Sequence, residues 1–517
     1  MSRDVWSIID GTPFEEANAG SLTVTNPART ADVTGVTRTA SPDTFAAAAR
    51  SASAAQKEWA AVPGPVRGVA IHKIGRLLED NKEALAQLIT NEIGKPLPES
   101  RGEVQEAIDT CIFFASEGRR LYGQTVPSEM SDKQLFTYRV PVGTMAIVTA
   151  GNFPVAVPSW YVIPALVAGN AIVWKAAEYT PTIAQAFTRI IHAAGIPPEI
   201  FQLVFTAGED TSTGLESALA EGTIQKLGFT GSSSVGVKLA EMCGRHLQTP
   251  TLELGGKNPL VVMPDADLDL AVEGALFSGF GTSGQRCTSL GILLVHDDVA
   301  DEFRARFKKA VETAVVGDPN DPSILFGPMI NQRFADTTLR WMEQIQSHHT
   351  TFGSTGVGRI TADNPREGFV GDPDAGIYLH PIVVDGVTMD DVLYHEETFG
   401  PLVPMATFSS FAQGLEMANG HGYGLSSSIY TSDARTAFRF RDGISAGMCS
   451  VNNSTSGAEA HLPFGGNGRS GNGARQSGIW VLDQVTRWQS MNWDISGKLQ
   501  LAQIETAEIE ADLNFRL

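Results

Sequence analysis

Cysteine is scarce in this chain, with 4 among 517 residues, at positions 111, 243, 287 and 449. No two form a Cys-x-x-Cys pair, which argues against a disulfide framework or a zinc knuckle and leaves each thiol to be read alone. Positive charge is short as well. Lys and Arg total 38 against 58 Asp and Glu, a formal net charge of -20, so a nucleic-acid partner, which needs clustered cations, is not expected. The ten histidines form no His-x-x-x-His pair, and the adjacent His348-His349 lies in a polar stretch, so no metal is expected. No run of residues is long and apolar enough to span a bilayer, and Met1 to Trp6 lacks a basic segment followed by an apolar one. No membrane association is therefore expected, and the cytoplasm is the expected compartment.

What is present is an ordinary globular composition, 42% hydrophobic and 19% charged. The length exceeds what one hydrophobic core sustains, so two or three packed domains are expected. Residues 43–61, 66–86 and 99–122 carry apolar positions at helical spacing. From Thr144 onward, short apolar runs (145–149, 171–174, 201–205, 224–229) alternate with helical stretches (155–168, 182–194, 233–243). This alternation predicts a parallel sheet covered on both faces, with right-handed crossovers and ligand at the C-terminal ends of the strands. A second α/β set begins at 259–263 and continues through 291–295, a helix at 301–315, and runs at 425–429 and 448–452. Two strand-like segments, 133–142 and 485–493, belong to neither set and predict a protruding β-arm. The acidic tail at 504–510 is expected on the surface.

Cys287 sits in Gly284-Gln285-Arg286-Cys287-Thr288 after a run of small residues, where a ligand can approach closely. The adjacent guanidinium of Arg286 is expected to lower the thiol pKa. A lone cysteine is also, more often than not, simply a buried apolar residue. Glu253, flanked by Leu252 and Leu254 and followed by two glycines, has the apolar setting that raises a carboxyl pKa toward general-base range; a solvated strand-end glutamate fits equally. Asn152 stands between a predicted strand and a predicted helix, where its amide either stabilises an oxyanion or caps the helix. Lys175 and Glu178 follow the run 171–174, at the place where a Rossmann-type sheet holds an adenosine ribose. Gly231 and Ser232 open a helix, so its backbone N–H groups are placed to meet a pyrophosphate, although Gly-x-x-x-x-Gly lacks the full dinucleotide fingerprint.

Taken together, Asn-Phe-Pro from Asn152, Phe-Thr-Gly-Ser from Phe229, Glu-Leu-Gly-Gly-Lys-Asn from Glu253, Gly-Gln-Arg-Cys-Thr from Gly284 and Glu-Glu-Thr-Phe-Gly-Pro from Glu396 resemble the motifs of the aldehyde dehydrogenase superfamily, in the same order. The likeness runs from about Asp10 to Trp493. It implies an α/β fold with a Rossmann-like cofactor domain (1–122 and 143–252), a second α/β catalytic domain (253–475), and an oligomerisation arm and tail (123–142 and 476–517). It further implies a Cys287 thioester, with Glu253 as base and Asn152 as oxyanion donor. Thr149, Lys175, Glu178, Gly231, Ser232, Leu254, Glu397 and Phe399 would hold NAD, and a homodimer or homotetramer would form. NADP is disfavoured because Glu178 would repel a 2′-phosphate.

Within the superfamily the chain most resembles the antiquitin branch, which oxidises α-aminoadipate semialdehyde. That likeness implies that Glu106 and Arg286 grip an amino-acid head, one acid and one guanidinium for two opposite charges, while Trp160 and Phe464 flank the substrate chain. The segments Ala150-Gly151, His461-Leu462-Pro463 and Gly465 to Gly471 depart from the branch pattern, so a bulkier or aromatic aldehyde is the rival substrate. A catalytically silent binding relative is the rival function.

Overall fold

The computed structural model describes residues 4–15, 19–354, 356–501 and 509–517. Two seven-stranded β-sheets and a three-stranded arm organise them, with three smaller sheets beside them. The first has seven strands, in the order 251–253, 226–230, 144–148, 171–175, 201–204, 8–9 and 12–13. The first five of these run parallel, and the two short N-terminal strands add to the edge antiparallel. The connecting helices include Ala156–Ala168, Pro181–Ala193, Gly208–Ala220 and Ser233–Arg245. Strands covered on both faces bury nearly every side chain. Thus Ala171–Lys175 reads as five consecutive buried residues, and the expected βα alternation is realised.

The second sheet also has seven strands, in the order 350–352, 382–385, 402–408, 290–296, 258–262, 428–430 and 450–451. All are parallel except the antiparallel edge strand Thr350–Phe352. Its two faces feed two separate cores, because side chains alternate along each strand. Leu260, Val262, Leu293 and Val295 join one cluster, while Val261, Ile292 and Leu294 join the other. The arm is an antiparallel three-stranded sheet in which Lys133–Pro141 lies between Thr125–Val126 and Thr486–Asp494.

Several expectations required correction. The helix expected over 66–86 is two helices, Gly64–Asp80 and Lys82–Ile93. They break at Asn81, whose φ of -110° and ψ of 13° leave the helical region and whose side chain bonds back to the Leu77 carbonyl. The hairpin Gly20–Asn26 with Arg29–Thr39 was not anticipated, since both strands are rich in threonine and half exposed. Strands Ile382–Asp385 and Leu402–Phe408 were not anticipated either. Of the acidic tail at 504–510, residues 504–508 lie outside the described residues, and 509–510 are exposed. Among the described residues, no helix is long and apolar enough to cross a membrane.

Candidate active site

Cys287 lies on a turn between helix Leu268–Phe280 and strand Leu290–His296. The turn is an unusual piece of backbone. Thr282 and Ser283 have φ of 50° and 57°, left-handed values that are disfavoured for residues with a Cβ and most of all for β-branched threonine. Tertiary hydrogen bonds hold it there. The Ser283 hydroxyl donates to the carbonyls of Gly327 (2.8 Å) and Pro328 (3.1 Å), and Gln285 accepts the Ile330 N–H at 3.0 Å. Beyond the thiol, the Asn258 amide donates to the carbonyls of Cys287 (2.8 Å) and Ser289 (2.7 Å). Gly256 is required at this approach, because a Cβ there would stand 2.4 Å from the Cys287 carbonyl oxygen.

The thiol opens on a cavity of about 780 Å³, within the size range of small-molecule and cofactor sites. Every residue assigned above to a site lines it except Glu253. At one end Lys175, the last residue of its strand, pairs with Glu178 at 2.8 Å. Burial acts to raise the Glu178 carboxyl, but the charge and hydrogen bond of Lys175, a backbone N–H and the Arg333 charge together outweigh it and hold the group below its ordinary range. Ser232 is the N-cap of helix Ser233–Arg245, and its side chain makes no capping bond. The backbone N–H groups of the first turn are thus left toward the cavity, an arrangement suited to a pyrophosphate. Leu254 packs where a Cβ on Gly236 would clash at 2.5 Å, and Thr149 accepts the Trp174 indole N–H at 3.0 Å.

Toward the middle, Glu397 accepts the Gly256 N–H at 3.1 Å, and a Cβ on Gly255 would fall 2.1 Å from its carboxylate. Burial pushes Glu397 up to about 7. Phe399, with φ of 46°, places its ring 5.8 Å from Phe334. Asn152 donates one amide hydrogen to the Gln285 carbonyl at 2.9 Å, leaving the second free on the cavity wall. The backbone cleft at this end therefore fits a dinucleotide: glycines where a carboxylate approaches closely, an open helix N-terminus and a strand-end ion pair.

Glu253 ends strand Thr251–Glu253 and is buried. One carboxyl oxygen accepts the Gly466 N–H at 3.3 Å, and the other is buried without a partner. Burial raises its pKa well above the ordinary carboxyl value. The Cys287 thiol is also pushed up, to about 12, by burial and then by the charges of Glu397 and Glu253, against the N–H groups of Cys287 and Thr288 that favour the thiolate. This overturns the expectation that Arg286 lowers it. The guanidinium is turned away to Glu99 and lies over the Phe277 ring at 4.6 Å.

The far end of the cavity is built by helix Leu97–Glu117, whose glutamates at 99, 103 and 106 share one face. Glu103 forms a fully buried ion pair with Lys95 and accepts the N–H groups of Val155 (2.8 Å) and Ala156 (3.3 Å), at the start of the helix after Asn152. Glu99 is bound to Arg286 and Thr282. Glu106 alone is left with a buried oxygen lacking a partner, and burial followed by the Glu103 charge pushes it up to about 8. A two-pronged grip by Glu106 and Arg286 is therefore not formed, because Glu99 has taken the guanidinium. Trp160 and Phe464 do stand together, with rings 4.6 Å apart. Glu99, Glu103, Lys95 and Gln285 were missed from sequence; the i, i+4, i+7 spacing of the three glutamates was the available signal.

A histidine pair away from the cavity also changes meaning. His348, His349 and Asp391 bring their ligand atoms within 4.8 Å of one another. However, Nδ1 of His349 accepts the Gln346 N–H at 3.0 Å, so in the neutral ring Nε2 carries the proton, facing Asp391 at 3.3 Å. That tautomer is a hydrogen-bond donor rather than a metal ligand.

Two parallel-sheet units meeting at a dinucleotide-sized cleft with a thiol on its wall mark an oxidoreductase that works on small carbonyl compounds. The model of the aldehyde dehydrogenase family matches residues 14–491, and the chain belongs to that family. It oxidises an aldehyde and uses NAD(P). Alpha-ketoglutarate semialdehyde dehydrogenase of Haloferax volcanii is 37% identical over 467 residues, 90% of this chain and 93% of that protein. Alpha-aminoadipic semialdehyde dehydrogenase of Rattus norvegicus is 35% identical over 450 residues, 86% of this chain and 80% of that protein. Betaine aldehyde dehydrogenase of Staphylococcus aureus, solved in complex with NAD+, aligns with a TM-score of 0.89 at 25% identity, covering 96% of this chain and 95% of that one.

Proposed function

We propose that the chain oxidises an amino- or carboxy-semialdehyde, such as α-aminoadipate semialdehyde, to the carboxylic acid through a thioester on Cys287, with NAD as the preferred cofactor. The observation that carries this reading is that Asn152, bonded to the Gln285 carbonyl two residues before Cys287, lines the same cavity as that thiol, with a buried Glu106 oxygen left without a partner on its wall. The Cys287 thiol gives its proton to Glu253 and its sulfur bonds to the aldehyde carbon. The free amide hydrogen of Asn152 and the Cys287 N–H then stabilise the oxyanion. NAD supplies the hydride acceptor when bound. Glu253 passes the first proton to solvent and then takes one from water, whose oxygen attacks the thioester carbon; the carbon–sulfur bond breaks, and the leaving thiolate takes the proton back from Glu253, releasing the acid and the thiol.

Lys175 and Glu178 would hold the adenosine ribose, Gly231 and Ser232 the pyrophosphate, and Glu397 and Phe399 the nicotinamide ribose, with Thr149 and Leu254 as walls. An ionised Glu178 repels a 2′-phosphate. NAD should therefore give the higher kcat/KM, and Glu178→Ser should narrow the ratio to NADP by about tenfold. A wild-type preference for NADP would sink this part of the reading.

Glu106 supplies the polar end of the tunnel, and Trp160 and Phe464 its sides; Arg286 contributes by shaping the wall. The substrate test is NADH formation with α-aminoadipate semialdehyde, a plain aliphatic aldehyde and benzaldehyde, compared by kcat/KM. The semialdehyde should lead by about tenfold or more, the worth of one satisfied buried polar group. A lead for benzaldehyde would favour the bulkier, aromatic reading that the Trp160 and Phe464 pair also supports.

We further propose the domain division 1–122 with 143–252, 253–475, and 123–142 with 476–517, and a homodimer or homotetramer joined through the arm. Among the described residues, strand Thr486–Asp494 pairs on one side only and exposes Trp488, Met491 and Trp493, an apolar edge that solvent does not favour. Light scattering should give two or four times the chain mass of 55.2 kDa; a monomer would refute it.

A further inference from the structure

Resting on the reading of Cys287 as the nucleophile, we infer that Glu99 is a positioning residue that holds the strained turn under Cys287 in its reactive geometry. Glu99 lies on helix Leu97–Glu117, 183 residues from Thr282 in sequence. One of its carboxylate oxygens accepts the Thr282 backbone N–H at 3.2 Å. The other accepts both the Thr282 hydroxyl and the Arg286 guanidinium. The Thr282 hydroxyl in turn accepts from Arg286 Nε at 3.2 Å. A single carboxylate therefore ties both ends of the segment 282–286, and the nucleophile is the next residue.

The backbone gives the clamp something to do. Thr282, at φ 50°, is a β-branched residue in a left-handed conformation, followed by Ser283 at 57°. Released, the turn would relax toward ordinary φ values. The carboxylate stays ionised for this task. Burial acts to protonate it, but Arg286, Thr282 and Lys95 outweigh burial and keep it below the ordinary carboxyl range. Phe277 covers the guanidinium at 4.6 Å, so the pair is stiff on its apolar side as well. One turn further along the same helix, Glu103 holds the start of the helix that follows Asn152. The helix thus spans the two segments that must meet at the aldehyde carbon, and Glu99 sets the nucleophile's side of that meeting.

The clamp is tested with Glu99→Gln, Thr282→Gly, their double variant and Thr282→Ala, each read by four measurements. These are the rate of Cys287 alkylation by iodoacetamide across pH, followed on the Cys287 peptide by mass spectrometry; NADH formation in a single turnover; KM for NAD; and the thermal midpoint. Glu99→Gln should slow the single turnover by about 10- to 100-fold and shift the pH profile of alkylation, with KM for NAD held within about twofold, because a small displacement of the attacking atom is costly while cofactor contacts are untouched.

Thr282→Gly removes the cost of the left-handed turn, so the effect of Glu99→Gln should shrink to about threefold or less in that background, a coupling that independent sites do not show. Thr282→Ala loses the hydroxyl but keeps the strain, and should be slower than Thr282→Gly by about fivefold or more. This last comparison stands even where Glu99→Gln gives no folded protein. A single turnover by Glu99→Gln within about twofold of wild type, or equal rates for the alanine and glycine variants, would overturn the clamp alone. Full turnover by wild-type enzyme whose Cys287 is completely alkylated would overturn the nucleophile reading, and the clamp with it.

Discussion

Replacing Cys287 by serine should abolish NAD-dependent turnover, with kcat/KM falling by about 10^4-fold or more, as for removal of a nucleophile that acts as one unit with its base. The exchange is nearly isosteric, so circular dichroism and the thermal midpoint should stay close to wild type. The loss follows from chemistry at one atom. A serine hydroxyl is far less acidic than a thiol, and the burial that already pushes the Cys287 thiol up to about 12 makes an alkoxide harder still to form. Measurable turnover near the wild-type rate would refute the thioester mechanism and revive the reading of a silent relative with incidental residues. Mass spectrometry of wild-type protein quenched during turnover should, for its part, find the acyl adduct on the Cys287 peptide.

Replacing Glu253 by glutamine should separate the two halves of the reaction. If Glu253 activates the water that cleaves the thioester, the variant forms the acyl-enzyme slowly and then stalls, with kcat lowered by about 10^2- to 10^4-fold. Stopped-flow absorbance should record no more than one NADH per active site, followed by a flat trace; linear steady formation at the wild-type rate would exclude Glu253 as the base. The pH dependence has a defined sign. The folded-state pKa values of both Glu253 and Cys287 are raised, and both act in their deprotonated forms, so the rate should climb with pH through the neutral and alkaline range and fall on acidification. Stability runs the other way. The folded protein retains the Glu253 proton at pH values where the unfolded chain has lost it, so this group's contribution to folding diminishes as pH rises above the ordinary carboxyl value. Glu253→Gln should remove that slope and, at alkaline pH, melt no lower than wild type.

Cys287, Glu253 and Asn152 each stand beside glycines or a strand end, where a parallel α/β sheet leaves side chains open to ligand, but each position fits a buried, solvated or capping residue as well, and only the ordered family motifs singled them out. The arm strands 133–141 and 486–494 were legible because neither fits the βα alternation around it. Legibility failed for strands with weak local patterns. The hairpin 20–39 alternates threonine with valine on a half-exposed surface, and its register with a shifted bulge near Thr25 depends on packing rather than on propensity.

It also failed for the charge pairings around the thiol. From sequence, Arg286 stands next to the thiol and Glu106 on a helix far upstream, and nothing local says which carboxylate the guanidinium will meet. Helix geometry turns Glu99, Glu103 and Glu106 to one face, but tertiary packing allots them three different fates: one to the nucleophile's turn, one to Lys95 and the start of the next helix, and one to the cavity. The sequence by itself determined the alternating α/β architecture and the arm, since these follow from local periodicity, while the proposed reacting groups came from the likeness of their motifs to the family's. Only the tertiary structure decided the direction of the Arg286 guanidinium, the raised pKa of Cys287 and the unpaired state of Glu106. Each of these depends on burial, and the Arg286 direction also on a carboxylate 187 residues away; desolvation and Coulomb attraction are set by distance in space rather than along the chain.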